Sequence, residues 1–514
     1  MVNSTIAVVL PVAGATSFPY PLLLASLSTD DTSDWEIIVA GRVEGYTVGA
    51  GDPRVRFAGT DATDWAAAVN AGIEMAGTDF VLIANADGKF SAGETRVLVE
   101  ARPVESDVVY TDEYIFGVKP TRFRFKPDSS PERLRCQFYW GNAVFYRREL
   151  LQRLGGVRTG IPGAELYDLA LRAQRSGAVI EHFRATVFAL PDGTPPVGAV
   201  SGQAALDATR TVLEEHLAET GGGYVESVHE NGAHRTHRSV VGDPLVSIVI
   251  PTRGSLGEVH GETRCLVIEA VRTIIEKTTY ENYELVVVMD SVADPAVTQT
   301  LRDIGGDRMR IVWWDRPFNF SAKMNLGVFH ARGEYVLFLN DDTEVITPGW
   351  IEPMLSLCQR PGAGMAGAML YFEDDSIQHA GHIYERGDAG HIGTVGRRGA
   401  SGPLNSFLVE REISGVTAAC SMMPRDVFDE VGGFSLLLPG NFNDVDLCMK
   451  VTELGHTIYW TPNTELYHYE SKTRVSRVAR YEVETAWGRW EWRLDDPTYW
   501  PYGSMLTSDE NASL

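Results

Sequence analysis

The sequence predicts an α/β protein made of two tandem domains, each with a mostly parallel central sheet, and three observations carry this. Short β-branched runs closed by a proline, IAVVLPV (6–12) and VSIVIPT (246–252), read as buried strands that run into a loop. Strand patterns then alternate with helical ones, which is the mark of a parallel sheet covered by helices. The same order of elements occurs twice.

The second strand EIIVAG (36–41) matches ELVVVMD (284–290), and the central strand with its polar end, TDFVLIANADG (78–88), matches GEYVLFLNDDT (333–343). FYRRELLQRLGGVR (145–158) matches MPRDVFDEVGGFS (423–435), and ELYDLALRAQRSG (165–177) matches NDVDLCMKVTELG (443–455). The glycines at 432–433 read as backbone punctuation after a helix and not as a phosphate cradle. ALDATRTVLEEHLAETGGGY (205–224) reads as a helix stopped by glycines. This divides the chain into a first domain 1–220, a linker 221–244, a second domain 245–480 and a C-terminal extension 481–514. The tryptophans of that extension are expected to pack on the second domain, and the final SMLTSDENASL to fray.

The 514 residues are 44% hydrophobic and 22% charged, an ordinary globular composition with room for two cores. A formal net charge of −24 argues against nucleic acid or an anionic membrane as the main partner. The five cysteines are scattered without a CxxC spacing, so neither a disulfide framework nor a zinc knuckle is expected. The uncharged stretch Ser4 to Thr29 lacks a basic start and is broken by Pro11, Pro19 and Pro21, so it reads as strand, loop and helix start. The expectation is a reduced, cytoplasmic protein with no transmembrane segment.

The chemistry concentrates in the second copy. A parallel sheet binds ligands at the carboxyl ends of its strands, where Pro251-Thr252-Arg253, Asp290 and Asn340-Asp341-Asp342 fall. Asp290 is placed to accept from a base or ribose, or to cap a turn. Asp341 and Asp342 repel one another, and a divalent ion bound by their oxygens removes the conflict; an N-cap or Asx turn is the structural alternative. Asp444 and Asp446 stand at a helix start, where either serves the macrodipole. His379, His382 and His391 lie close in sequence, but their spacing fits no zinc motif, so a loop lining a sugar or acceptor pocket is expected.

On NDDT (340–343), FNDVDLCMK (442–450) and ELYHYESKTR (465–474), taken in order, the chain resembles family 2 inverting glycosyltransferases of GT-A fold, in particular the branch that makes rhamnan and O-antigen. The resemblance is strong over 246–475 and weaker before it. It implies two GT-A-like domains and transfer of a sugar from a nucleotide-diphosphate donor to a hydroxyl of a glycan, lipid-linked glycan or protein. The implied catalytic base is Asp444. Mn²⁺ or Mg²⁺ would be held by Asp342 and His468, with Asn340 in the first place of the family's DxD motif. Pro251, Thr252, Arg253, Asp290, Lys323, Asn325, Asp341 and Arg474 fall where the family meets the donor. Asp446 is the structural acid of the pair.

In the first copy, Asn85-Ala86-Asp87 falls on the metal motif, Leu166 on Asp444, and Ala189 near His468. Leucine accepts no proton, so the first domain is expected to be non-catalytic. Two other readings are a binding scaffold of two decayed domains and a nucleotidyltransferase. The latter calls for a Gly-rich basic loop, which PTRGSLGEVHGETR matches only loosely. Sugar identity rests on a few pocket hydrogen bonds that spacing does not encode.

Overall fold

Val, Ile and Leu runs that are buried on both faces form the centre of each half, as parallel strands covered by helices require. The computed structural model describes residues 6–502 except 30–34, 43–51, 60, 63, 92–97, 99–104, 394–395 and 470–477. The chain divides into two units, Met1–Thr236 and His237–Ser513.

In the first unit, β1 (Ile6–Pro11), β2 (Trp35–Ala40), β3 (Val55–Ala58), β4 (Phe80–Ile83), β5 (Lys89–Phe90), β6 (Val108–Phe116), β7 (Arg122–Arg124), β8 (Val144–Arg147) and β9 (Ile180–Pro191) share one sheet. Its order is β3-β2-β1-β4-β8-β6-β9-β5, with β7 on β6. The 221–244 stretch carries β10 (Gly223–Ser227) and β11 (Arg235–Arg238), which pair with each other.

The second unit contains β12 (Val246–Thr252), β13 (Leu256–Val259), β14 (Glu262–Cys265), β15 (Tyr283–Asp290), β16 (Met309–Trp314), β17 (Tyr335–Leu339), β18 (Thr343–Val345) and β19 (Ala363–Tyr371). It continues with β20 (Ile377–His379), β21 (His382–Glu385), β22 (Asp388–His391), β23 (Arg411–Glu412), β24 (Cys420–Pro424) and β25 (Thr457–His468). The main sheet runs β16-β15-β12-β17-β24-β19-β25-β18. This is the first order over again, with β12 in the place of β1, and the senses agree. The first strand of each sheet is parallel to both neighbours, the eighth and twenty-fourth strands are antiparallel to theirs, and β6 with β9 and β19 with β25 are parallel again. Such agreement in order and sense is what a duplicated domain produces. Both units are thus mixed α/β with sheets rich in parallel pairs.

Register converts this topology into residue equivalences. Ile6 lies opposite Trp35 and Phe80 as Val246 lies opposite Tyr283 and Tyr335, so Val12 falls on Thr252, Arg42 on Asp290, and Asn85-Ala86-Asp87 on Asn340-Asp341-Asp342. The helices Glu165–Arg175 and Asn443–Glu453 both have 11 residues, which puts Leu166 on Asp444 and Asp168 on Asp446. The helices Trp65–Met75 and Phe320–His330 are likewise each 11 residues long and capped by Asp64 and Asn319, which puts Ala68 on Lys323 and Asn70 on Asn325. Lys89 pairs with Ala189 as Glu344 aligns with Tyr467, so Leu190, the residue after Ala189, takes the position of His468.

One of these equivalences revises the reading of Asn325. Its Nδ2 donates to the Phe434 carbonyl and its Oδ1 accepts from the Phe434 amide, both at 2.9 Å. Asn70 does the same with Val157, at 2.8 Å each way. In both units the partner follows a Gly-Gly pair with positive φ, and a Cβ on Gly433 would come within 2.7 Å of Asn325 Oδ1. A device present in both units, with and without Asp444, belongs to the fold. The resemblance places Asn325 at the nucleotide beside Lys323, but its amide bonds the Phe434 backbone through both Nδ2 and Oδ1.

Asp87 has a local task of its own. Its Oδ1 accepts from the Leu22 and Leu23 amides, both at 3.0 Å, at the start of the helix Pro21–Thr29. Burial raises its carboxyl above the ordinary range.

Two stability measurements follow from these contacts. Asn325→Ala removes two hydrogen bonds from buried or half-buried backbone and is expected to cost ~1–3 kcal/mol, read as a lower denaturant midpoint, with Asn70→Ala behaving alike. Asp87→Ala is expected to cost ~0.5–2 kcal/mol as a lost helix cap. Wild-type stability in the Asn325 or Asn70 variant would show that the clamp does not hold the Gly-Gly stop, and in the Asp87 variant that the cap contributes nothing.

Candidate active site

The carboxyl ends of β12, β15 and β17 lie side by side because β12 pairs in parallel with both others. Their end residues therefore meet over short distances. Thr252 donates from Oγ1 to Asp341 Oδ2 at 2.5 Å. Lys323, 0% exposed on the helix Phe320–His330, donates from Nζ to Asp290 Oδ1 at 2.6 Å and to the Thr252 carbonyl at 2.7 Å. Arg253 lies 3.5 Å from Asp290 Oδ2. Burial lowers the Lys323 ammonium, and Asp290 works against that shift.

The adjacent acids differ. Burial, with the Asp342 charge, pushes Asp341 up to about 7. Burial also acts to raise Asp342, yet the charge and hydrogen bond of His468 bring it below its ordinary value. Asp342 Oδ1 is 3.2 Å from His468 Nε2, and Asn340 Nδ2 is 3.1 Å from the same nitrogen. The other ring nitrogen of His468, Nδ1, lies 2.6 Å from Gln378 Oε1, while Gln378 Nε2 donates to the His468 carbonyl at 3.2 Å. A carbonyl oxygen only accepts, so Nδ1 carries a proton and Nε2 faces the acids. This second contact is the kind that orients a metal-binding histidine. The 3.2 Å gap is also close to the roughly 3 Å between neighbouring ligands on a six-coordinate ion with bonds of about 2.1 Å. The donor set of carboxylate, imidazole and amide fits Mn²⁺ or Mg²⁺.

Asp444 stands in the first turn of the helix Asn443–Glu453, where unpaired amides favour a carboxylate. Its Oδ1 accepts from Val445 N at 2.9 Å and its Oδ2 from Ala418 N at 3.4 Å. The helix is entered through Phe442 at φ 56°, a left-handed conformation that is unusual for a bulky residue. Contacts from the helix Arg480–Trp490 hold this entry. Glu482 accepts from the Gly440 and Asn441 amides at 2.9 and 2.8 Å, and the Trp487 ring meets Phe442 edge-on at 5.2 Å. Asp446 is fully buried and is held by Arg489 at 2.7 Å and Trp490 Nε1 at 2.9 Å. Its counterpart Asp168 is buried against Arg172 at 2.7 Å, so this acid is structural in both units.

One cleft of ≈ 500 Å³ gathers these groups. Pro251, Thr252, Arg253, Asn340, Asp341 and Asp342 line it together with Lys323, Asp444 and His468. Asp290 reaches it through Lys323 and Arg253. Asn325 does not line it, and Arg474 lies outside the described residues.

Other lining residues had weaker signals or none. His382 and His391 belong to the histidine segment expected at a pocket, whereas Phe318, Phe320 and Phe442 had no pattern of their own. His379, His382 and His391 sit with ring centroids 4.9–5.3 Å apart. The Thr417 amide donates to His379 Nε2 at 3.2 Å, so the His379 proton is on Nδ1, 2.7 Å from His391 Nδ1. These bonds occupy both ring nitrogens of His379.

Residues 247–432 match the family model described as Glycosyl transferase family 2. The protein y4gI of Sinorhizobium fredii (strain NBRC 101917 / NGR234), itself uncharacterized, is 34% identical over 98% of this chain and 58% of its own length. The O-antigen biosynthesis protein RfbC of Myxococcus xanthus is 29% identical over 98% of this chain and 40% of its own length. The chain thus spans about half the length of these relatives. Two solved structures are similar at low identity. GalNAc-T7 with UDP, GalNAc and Mn²⁺ has a TM-score of 0.39 at 12% identity, covering 50% of each chain. The mannosyltransferase PcManGT from Pyrobaculum calidifontis with GDP-Man and Mn²⁺ has a TM-score of 0.32 at 14% identity, covering 46% of this chain and 60% of that one. With the strand-end acids at the carboxyl ends of parallel strands and the match that spans them, the second unit resembles the family 2 glycosyltransferases over residues 247–432.

Proposed function

We propose that the second unit moves a sugar, with inversion, from a nucleotide-diphosphate donor to a hydroxyl on a glycan, lipid-linked glycan or protein. The observation that carries this is the presence in one cleft of the Asp342–His468 pair and the separate carboxylate Asp444. Inverting transfer needs two such functions: charge to balance a departing diphosphate and a base for the attacking hydroxyl. Asp342, His468 and Asn340 would hold Mn²⁺ or Mg²⁺, which supplies that positive charge when bound. Asp444 takes the proton as the acceptor oxygen attacks the anomeric carbon. Asp290 and Arg253 meet the nucleoside end of the donor, and Lys323, buried between Asp290 and Thr252, positions them instead of touching phosphate. Thr252 fixes Asp341 next to the residues that would hold the ion.

The first unit has Leu166, Leu190 and Ala68 where the second has Asp444, His468 and Lys323, and its Asp87 caps a helix. It is a non-catalytic companion in this reading. The likeness to an O-antigen biosynthesis protein favours a growing surface glycan as acceptor.

Chelation with excess EDTA is expected to abolish nucleotide release from UDP-, GDP- or dTDP-sugars, and Mn²⁺ or Mg²⁺ to restore it, with Asp342→Ala weakening donor binding as well as rate. Full turnover in EDTA would remove the ion from this reading. Asp444→Asn keeps shape but not basicity, so turnover is expected to fall by about two to four orders of magnitude with donor affinity unchanged. Asp87→Ala is expected to turn over normally once folded. An active Asp444→Asn, or a folded but dead Asp87→Ala, would place the site in the other unit. Proton NMR of the product's anomeric signal checks inversion, and retention would take the base role from Asp444.

A further inference from the structure

His382 lines the cleft at 3% exposure, and the transfer chemistry gives it no task. It begins β21, which turns through Arg386 and Gly387, both at positive φ, into β22. Alternation along a strand puts His382 and Tyr384 on one face of this hairpin. Tyr384 packs in a cluster with Val445 and Met449 of the helix that starts with Asn443 and Asp444, and this brings His382 Nε2 to 3.9 Å from Asp444 Oδ2.

Hydrogen-bond roles set the direction of the contact. The Tyr384 hydroxyl is buried, its pKa raised well above the ordinary value first by burial, so it keeps its proton. Its partner among the described hydrogen bonds is His382 Nδ1 at 3.2 Å. A buried O–H whose one neighbour is a ring nitrogen donates to it, so Nδ1 is the acceptor and the His382 proton sits on Nε2, toward Asp444. Space enforces the pair: a Cβ on Gly415 would collide with the Tyr384 hydroxyl and come within 2.8 Å of His382 Nδ1, and the Gly415 carbonyl accepts from the His382 amide at 2.7 Å. Burial pushes the imidazole down to about 4, so it is a neutral donor near neutral pH.

We propose that His382, anchored by Tyr384, is a positioning residue for Asp444, presenting Nε2–H to Oδ2 so that the carboxylate is held in one orientation while it takes the acceptor proton. This rests on the reading of Asp444 as the base. A gap of 3.9 Å in a structure without substrate suits a contact that shortens in the reacting complex. Other groups around Asp444 leave the task to His382. On its own helix, Asp446 is neutralised by Arg489 and Lys450, and Cys448 is kept a neutral thiol by burial. Among the described residues, the preceding loop reaches Oδ2 through the Ala418 amide, at 3.4 Å. From β20, His379 is kept neutral by burial and bonded to Thr417 N and His391 of β22; Arg493 lies beyond Tyr384, and Asp341, Asp342 and His468 line the same cleft.

The test is the pH profile of kcat/KM for transfer by the full chain, measured for wild type, His382→Leu, His382→Gln and Tyr384→Phe, with donor binding followed separately by calorimetry. A hydrogen bond to the ionised form lowers a carboxyl pKa, so its loss in His382→Leu should move the acidic limb to higher pH and cut the rate at neutral pH about 10–100-fold, with donor affinity unchanged. His382→Gln, which keeps an N–H at that reach, should restore most of both, and Tyr384→Phe should shift the limb part of the way. A merely structural role would change melting temperature and rate without moving the limb, and that result overturns the proposal. If His382→Leu does not fold, Tyr384→Phe decides alone: a shifted limb supports the proposal and an unmoved one overturns it. Asp444→Asn separates the two readings. If it stays active, the base assignment fails; if it is dead while the limb of His382→Leu matches wild type, only the role of His382 fails.

Discussion

One buried cation makes the strand-end edge of the second unit possible. Asp290, Asp341 and Asp342 stand at neighbouring strand ends, and burial with the Asp342 charge disfavours the ionised form of Asp341. Lys323, 0% exposed, sits among them with Asp290 on one bond and the Thr252 carbonyl on another, and its charge lowers the Asp341 carboxyl. The first unit shows the other side of this dependence. There the lysine position is Ala68, and Asp290 and Asp341 have become Arg42 and Ala86. The buried lysine is absent together with the two acids nearest it, as expected when each offsets the burial of the other, while the third acid remains as Asp87. Removing one member of such a set alone strands the rest, which typically costs ~3–5 kcal/mol.

What survives in both units marks the fold apart from the chemistry. The Asn70 and Asn325 clamps, the Gly-Gly stops that they grip, and the buried acids Asp168 and Asp446, each with a cation one helical turn on (Arg172 and Lys450), occur at equivalent positions. What differs, Leu166 for Asp444 and Leu190 for His468, lies where the cleft is in the second unit. Asp87 is instructive because it keeps the residue type of Asp342 with another partner: two helix amides instead of a histidine.

Much of this was legible along the chain. The succession of elements along the chain and the ends of β12, β15 and β17 follow from local patterns, since a buried parallel strand must be apolar and must end in something polar, whereas the order of strands within each sheet does not. Three-dimensional juxtaposition was harder to read. The resemblance put Asn325 at the nucleotide with Lys323, yet two residues along the helix its amide meets the Phe434 backbone instead. His382 was grouped with its neighbours in sequence, whereas its chemistry depends on Asp444, 62 residues later, through a contact that no spacing rule describes. Phe442 at φ 56° carries no signal at all, since a bulky aromatic is a poor candidate for a left-handed position.

That strained residue shows why the C-terminal helix matters to the cleft. A backbone held in a sparsely populated region persists only where surrounding contacts over-determine it. Here Glu482 fastens the two preceding amides, Trp487 covers the Phe442 ring, and Arg489 with Trp490 fixes Asp446, two residues beyond Asp444. The direction of Asp444 is therefore set by a helix near the end of the described chain and by the β21–β22 hairpin, both outside the helix that carries it. The family match ends at residue 432, before Asp444, His468 and Glu482. Asp341 and Asp342 thus fall within matched sequence, whereas His468 and Asp444 do not. The side of the cleft that carries Asp444 is built by packing between its helix, the hairpin and the C-terminal helix, so its shape depends on contacts made away from the matched strand ends.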